Sequence, residues 1–329
     1  MQTLLLSQAD IRQVLAMPDV MEIVEKTFIG IAEGTVVNAP RAGLDLGESA
    51  AFPAYHGFMN AMPAYVGWLD SAGMKWVGGF LKNPPRGLPY ISGMILLIDP
   101  HTGQFTAVLE GALITSLRTG AQSAVPLKRL HPGRSLRLGL YGAGAQGRAQ
   151  VEAAASAFEI EMLRLYDVRR EAAEQFAKEM AGVVKGRIVI ADRPEEAADA
   201  DAVICVTQSK DRFFQEAWWK QGSVLFPMGS YQECDDACIL KADVILVDQV
   251  EQCLQRGALR SLSQAGRINT SNISGTISEV LTGAKPGRTS ASQRVLCIPL
   301  GTGALDVAVA TVAYRRAVER DLGTPFAFI

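Results

Sequence analysis

Residues 135–150 read SLRLGLYGAGAQGRAQ. An apolar run leads into glycines at 142, 144 and 147, and a helix-forming stretch follows. No other part of the chain limits the fold as strongly. This is the G-x-G-x-x-G arrangement that joins a strand to a helix in a dinucleotide-binding βαβ unit. Each glycine has its own physical reason. Gly142 permits the tight turn, Gly144 lets a pyrophosphate approach the backbone, and Gly147 lets the helix pack close to the sheet. The free N–H groups and positive dipole end of that helix suit phosphate. The next strand, MLRLYD, ends in Asp167, about twenty residues on, where a carboxylate accepts hydrogen bonds from ribose hydroxyls. Asp167 repels a 2′-phosphate and so favours NAD(H). Arg169 and Arg170 follow at once and pull the other way, which keeps NADP(H) open. The reading places Gly142, Gly144, Ala145, Gln146 and Gly147 at the phosphates and Asp167, Val168 and Arg169 beside the ribose. Thr207 and Gln208, ending the strand DAVICVT, border the cofactor at the carboxyl edge of the same sheet.

The pattern around this loop extends the assignment. After LRLGLY, apolar β runs alternate with helical stretches: MLRLYD, VRREAAEQFAKEM, RIVIA, DAVICVT, SVLFPMGS and DVILVD. Such alternation predicts a doubly wound parallel sheet. Before it the pattern differs. Ser7, with Asp10 three residues later, caps one helical stretch that runs to Gly34. Short β-like runs then occupy residues 40–110, including MKWVGGF and YISGMILLI, with DPHTGQ as a turn. A helix, EGALITSLRTGAQSAVPLKRL, ends at HPGRS, where Pro132 and Gly133 break the pattern. The expected organisation is therefore α/β, a Rossmann domain over 131–303 plus a mixed α+β substrate-binding and dimerisation domain. The latter covers 1–130 and is completed by the closing amphipathic helix, about 304–329.

Composition excludes several alternatives. Net charge is −2 and no basic run stands out, so nucleic acid is not an expected partner. The five cysteines form no C-x-x-C pair, and an odd count suits a reducing compartment. Cys234 and Cys238 are four apart, but with three histidines in the chain no metal site is expected. The first residues, MQTLLLSQAD, lack the features of a signal peptide, and the longest apolar run is too short to span a bilayer. The expectation is a cytoplasmic protein without a membrane partner.

Several stretches together carry a resemblance: PRAGLDL at 40–46, AMPAYVG at 61–67, MKWVGGF at 74–80, DPHTGQ at 99–104, SLRTGAQSA at 116–124, LGLYGAGAQGRAQ at 138–150 and PGRTS at 286–290. In order and spacing the chain resembles the ornithine cyclodeaminase/mu-crystallin family across essentially its whole length. The resemblance implies an NAD(P)-linked enzyme of α-amino or α-imino acids and a homodimer formed through the non-Rossmann domain. It implies that Arg41, Lys75 and Arg118 bind the substrate carboxylate. That fits elementary chemistry, since a carboxylate wants a guanidinium fork and a second cation. Lys75 stands in an otherwise apolar strand, so it needs an anionic partner, and burial would lower its pKa enough for proton transfer. Asp306 in LGTGALDVAVA matches a family aspartate near the start of the last helix and is a second catalytic candidate.

Two departures accompany the resemblance. The ornithine-specific enzymes carry a glutamate two residues before the MP dipeptide, where this chain has Asn60. They also carry an aspartate where this chain has Tyr231. Asn60 and Tyr231 are thus substrate-side candidates that lack the acidic groups which handle the ornithine amines, although Asp235 or Asp236 is close enough in sequence to stand in. The leading expectation is an amino-acid dehydrogenase or ketimine reductase. The alternatives are a cyclodeaminase-type lyase with internal cofactor recycling and ammonia release, and a non-catalytic dinucleotide sensor or accessory subunit.

Overall fold

The structure, a computed structural model, describes residues 2–47 and 54–328. It separates into two units, Met1–Arg118 with Thr302–Ile329, and Thr119–Gly301. The strands are β1 (Gln2–Leu6), β2 (Val36–Asn38), β3 (Ala42–Leu46), β4 (Gly57–Val66), β5 (Ser71–Phe80), β6 (Ile91–Ile98), β7 (Phe105–Glu110), β8 (Ser135–Tyr141), β9 (Glu159–Tyr166), β10 (Arg187–Ile190), β11 (Ala202–Cys205), β12 (Val224–Pro227), β13 (Val244–Val247), β14 (Gly275–Thr276), β15 (Val295–Ile298) and β16 (Thr324–Ala327).

The first unit is a mixed sheet in the order β16-β1-β7-β6-β5-β4-β2, with β3 also paired to β4. Ser7 caps α1 (Gln8–Val14) reciprocally with Asp10, whose N–H lies 3.3 Å from the Ser7 hydroxyl. The single helix expected from Ser7 to Gly34 is in fact two. Pro18 has no N–H to donate to residue 14, and its ring would strike that carbonyl. Leu15 and Ala16 are therefore extended, and α2 (Met17–Ala32) starts afresh. One face of the sheet carries the helix Gly303–Glu319. Its Ala304, Leu305, Val307, Ala308 and Ala310 are fully buried. Gly303 allows the close approach, because a Cβ there would lie 2.5 Å from the Met62 carbonyl oxygen. The opposite face leaves Val37, Trp76, Met94 and Phe105 exposed.

The second unit is a parallel sheet in the order β10-β9-β8-β11-β12-β15-β13-β14. Strands β8, β11, β12, β13 and β15 are nearly all buried, as expected when helices cover both faces. The division between units falls between Arg118 and Thr119, inside α3 (Gly111–Leu130), whereas the sequence places it after that helix. The reason is packing. Beyond Arg118, α3 bonds into the second unit: a Cβ on Gly120 would lie 2.3 Å from the Ala149 carbonyl oxygen. Gln150 of α4 (Ala145–Ala157) bonds to Ser123 and donates to the Thr119 carbonyl. Among the described residues no helix is long and apolar enough to cross a membrane. All five cysteines are buried thiols.

Candidate active site

In the first unit the structure gathers Lys75, Arg118 and Asp306, with Arg41 close enough to act on Lys75 electrostatically. Lys75 is central in β5, paired to Met62 of β4 and Ile95 of β6. Strand alternation turns its side chain to the face covered by the last helix. Asn60, opposite Val77, is on that same buried face. Arg118 and Thr115 are one turn apart on α3, whose start is capped by the Glu110 carboxylate at the N–H groups of Ala112 and Leu113. Asp306 enters from the first turn of the last helix. Lys75 Nζ donates to its Oδ2 at 2.6 Å, Arg118 Nε to its Oδ1 at 3.0 Å, and the Thr115 hydroxyl to Oδ1 at 3.3 Å.

The group is buried: Asp306 is 0% exposed, Lys75 2% and Arg118 6%. Burial pushes the Lys75 ammonium down to about 7; Arg118 adds to this, Asp306 opposes it and Arg41 lowers it further. Burial works against ionising Asp306 as well, but Arg118 and Lys75 hold its carboxyl below the usual range. The anion that Lys75 needs is thus Asp306, from a helix 231 residues away in sequence. Among the described contacts, two buried cations thus share the one Asp306 carboxylate.

In the second unit the glycines occupy the geometry their spacing predicts. Gly142 has φ +105°, and a Cβ there would lie 2.8 Å from the Val206 carbonyl oxygen. Gly144 caps α4, and a Cβ on it would meet nothing within 4 Å, so the space before the helix end is open. Gly147 could carry no side chain, since a Cβ would lie 2.3 Å from the Gly142 carbonyl oxygen. Ala145 is exposed, and Gln146 Oε1 is buried without a hydrogen-bond partner. Asp167 follows β9 and accepts from the Ala143 N–H at 2.8 Å and the Arg169 N–H at 2.9 Å. Val168 is 87% exposed. Of the two arginines, Arg170 is engaged by Asp192 at 2.6 Å and by Glu174, while Arg169 stays exposed 3.9 Å from Asp167. The open space at Gly144 and a carboxylate at the end of β9 fit a dinucleotide with a free ribose 2′-hydroxyl.

Thr207 follows β11, and Gln208 beside it is exposed. What holds Thr207 lies 26 residues on in the sequence. Its N–H and hydroxyl both donate at 2.7 Å to Glu233 Oε1, while the Gly229 N–H donates at 2.7 Å to Oε2. Burial pushes the Glu233 carboxyl up to about 7 against these hydrogen bonds. The available signal is a glutamate four residues after Gly229, the glycine that follows β12. Tyr231 belongs to this unit and is 42% exposed. Asp235 and Asp236 have other tasks. Asp235 caps the helix Asp236–Leu240, and Asp236 pairs with Arg212 and Arg267. His56 sits in a left-handed turn, φ 55°, just before β4. Among the described residues no group of three His, Cys, Asp or Glu side chains is placed to hold a metal ion.

The chain is 31% identical to the alanine dehydrogenase of Archaeoglobus fulgidus, over 100% of this chain and 99% of that protein. Its fold superposes on an archaeal alanine dehydrogenase dimer with bound NAD, at TM-score 0.91, 31% identity and full coverage of both chains. It also superposes on the Thermococcus litoralis Δ1-pyrroline-2-carboxylate reductase in complex with NADH and L-proline, at TM-score 0.92 and 29% identity, over 98% and 99% of the two chains. Residues 1–321 match a single family along almost the whole chain. The protein belongs to the ornithine cyclodeaminase/mu-crystallin family.

Proposed function

We propose that this protein is an NAD(H)-dependent oxidoreductase that interconverts an α-amino acid and its imine, as an amino-acid dehydrogenase or ketimine reductase. The observation that carries this reading is the buried Lys75–Asp306–Arg118 cluster with Arg41 beside it. A protein that only stored a dinucleotide would have no use for two desolvated cations gathered on a buried carboxylate. Arg41 and Arg118 hold the substrate carboxylate. Lys75, with a pKa near 7, takes the proton released when an amine becomes an imine and returns it in the reverse direction. Asp306 keeps the Lys75 ammonium aimed and sustains its charge. The glycine loop and Asp167 hold the cofactor, which supplies the hydride chemistry. Relatives described as an alanine dehydrogenase and as reductases of cyclic imino acids support this class.

Asn60 replaces the acid that would receive a second substrate amine, and Tyr231 replaces the other, so ornithine is disfavoured. The exposed sheet face bearing Trp76 and Met94 is the proposed homodimer surface. It includes an apolar groove of about 470 Å³ lined by Pro63, Tyr65, Met74, Leu96 and Phe105. The test is absorbance at the NADH band with 2-oxo acids plus ammonia, with cyclic ketimine acids, and with ornithine and NAD⁺ alone while ammonia is assayed. Steady NADH consumption, lost in Lys75→Ala and preferred over NADPH, is the expected outcome. Ammonia release without net NADH change would instead make the protein a cyclodeaminase.

A further inference from the structure

Glu233 is a fully buried acid outside the substrate cluster. Its backbone is fixed, because the Phe214 N–H donates to its carbonyl at 2.9 Å and Phe214 and Cys234 form a parallel bridge. Its carboxylate takes the Thr207 N–H, the Thr207 hydroxyl and the Gly229 N–H, each at 2.7 Å. These donors come from the loops after β11 and β12, which are neighbours in the sheet. Gly229 has no side chain to spare here, since a Cβ would lie 2.6 Å from the Glu233 carboxyl carbon. An apolar residue in this place would avoid the desolvation cost of a buried carboxylate. The carboxylate instead bonds Thr207, which adjoins the glycine loop at Gly142. Thr207 Cγ2 and the Val206 carbonyl oxygen are the atoms that a side chain on Gly142 would meet, at 3.5 and 2.8 Å. The Thr207 hydroxyl also accepts the Ser209 N–H at 3.2 Å, which orders the rest of that loop.

We infer that Glu233 is a positioning residue for the dinucleotide: by tying the ends of β11 and β12 together it holds Thr207 against Gly142 and keeps the glycine loop in its binding shape. The inference rests on the NAD(H) reading. It is tested on the full-length protein by NADH titration with fluorescence detection, with thermal melting as a control for folding. Glu233→Gln, which keeps the volume but turns an amide toward N–H donors, should raise the NADH Kd about tenfold or more. Thr207→Val should raise it by a smaller factor, and Thr207→Ser should bring it back to within about threefold of the wild type, because Ser keeps the hydroxyl that bonds Glu233 and leaves the nearer Val206 carbonyl beside Gly142 in place. The double variant Glu233→Gln/Thr207→Val should lose less than the product of the single losses. Should Glu233→Gln not fold, the Val and Ser variants at 207 carry the test.

A Glu233→Gln protein that folds and binds NADH like the wild type overturns the inference. So does a Ser variant as weak as the Val variant, or full multiplicativity in the double variant. Failure of the wild type to bind NADH would be a different result, striking the NAD(H) reading itself.

Discussion

Asp306→Asn tests the chemistry of the substrate cluster because it removes one charge and almost no volume. Lys75 Nζ lies 2.6 Å from one carboxylate oxygen and Arg118 Nε 3.0 Å from the other, with Asp306 fully buried. Arg118 cannot shed its charge in compensation, but Lys75 can. In the wild type, burial, Arg118 and Arg41 push the Lys75 pKa down and Asp306 holds it up, leaving it at about 7. An opposite charge in such contact moves a pKa by roughly 1–3 units, so the variant's Lys75 should titrate lower by about that amount. The sign follows for each direction. Imine reduction needs the ammonium and falls as pH rises through about 7 in the wild type; in the variant this fall moves to lower pH. Amino-acid oxidation needs the free amine and rises through the same value, and its rise also moves down.

Stability changes as well. Removing one member of a buried charge pair costs about 3–5 kcal/mol, and neutralisation of Lys75 favours the lower end. At roughly 2–4 °C per kcal/mol for a unit of this size, the melting temperature should drop by about 6–12 °C. The assay is kcat/KM in both directions across about pH 5–9, with melting curves at the same pH values. An unmoved pH limb together with a melting temperature within about 2 °C of the wild type would refute the reasoning.

Two glycine substitutions should separate binding from folding. Gly144→Ala adds a Cβ that meets nothing within 4 Å. It should leave the melting temperature within about 2 °C while weakening NADH roughly tenfold by isothermal titration. Gly147→Ala drives a Cβ to 2.3 Å from the Gly142 carbonyl oxygen. It should cost about 1–3 kcal/mol in denaturant unfolding in addition to binding. Equal melting losses in the two would refute the distinct roles. On the outer sheet face, Trp76→Asp should yield a folded monomer by light scattering; Trp76 is 45% exposed in the single chain, and a charge there is costly only if a second copy covers it. An intact dimer would remove this face from the interface.

The parts of the fold that were legible in the sequence are those set by neighbours along the chain. The strand–glycine–helix turn at 142–147 depends on backbone conformations that glycine favours, and the Ser7–Asp10 cap on hydrogen bonds three residues apart. What escaped depends on distant partners. Strand β16 exists because β1 offers it an edge, with Leu5 opposite Thr324. The unit boundary falls inside α3 because Gly120 and Ser123 pack on α4, and a helical pattern carries no mark of which neighbours its two halves will find. The sequence required an anion for Lys75, but only folding selects Asp306 from among the acids. Glu233 has partners 26 residues away at Thr207, so its role depends on β11 and β12 lying side by side.

Strand β5 points Lys75 inward and the next residue, Trp76, outward. Because side chains alternate at a period of two, inserting or deleting a single residue between Ser71 and Lys75 would exchange the two faces for everything beyond the change. The lysine would be thrown to the outer surface, and an indole would press into the site. Lineages descending from this sequence can therefore lengthen or shorten the turns on either side of the strand, at Asp70 and through residues 81–90. Within the strand itself a gain or loss is tolerable only in pairs, so drift in length should accumulate at these turns and leave the ten residues between them in step.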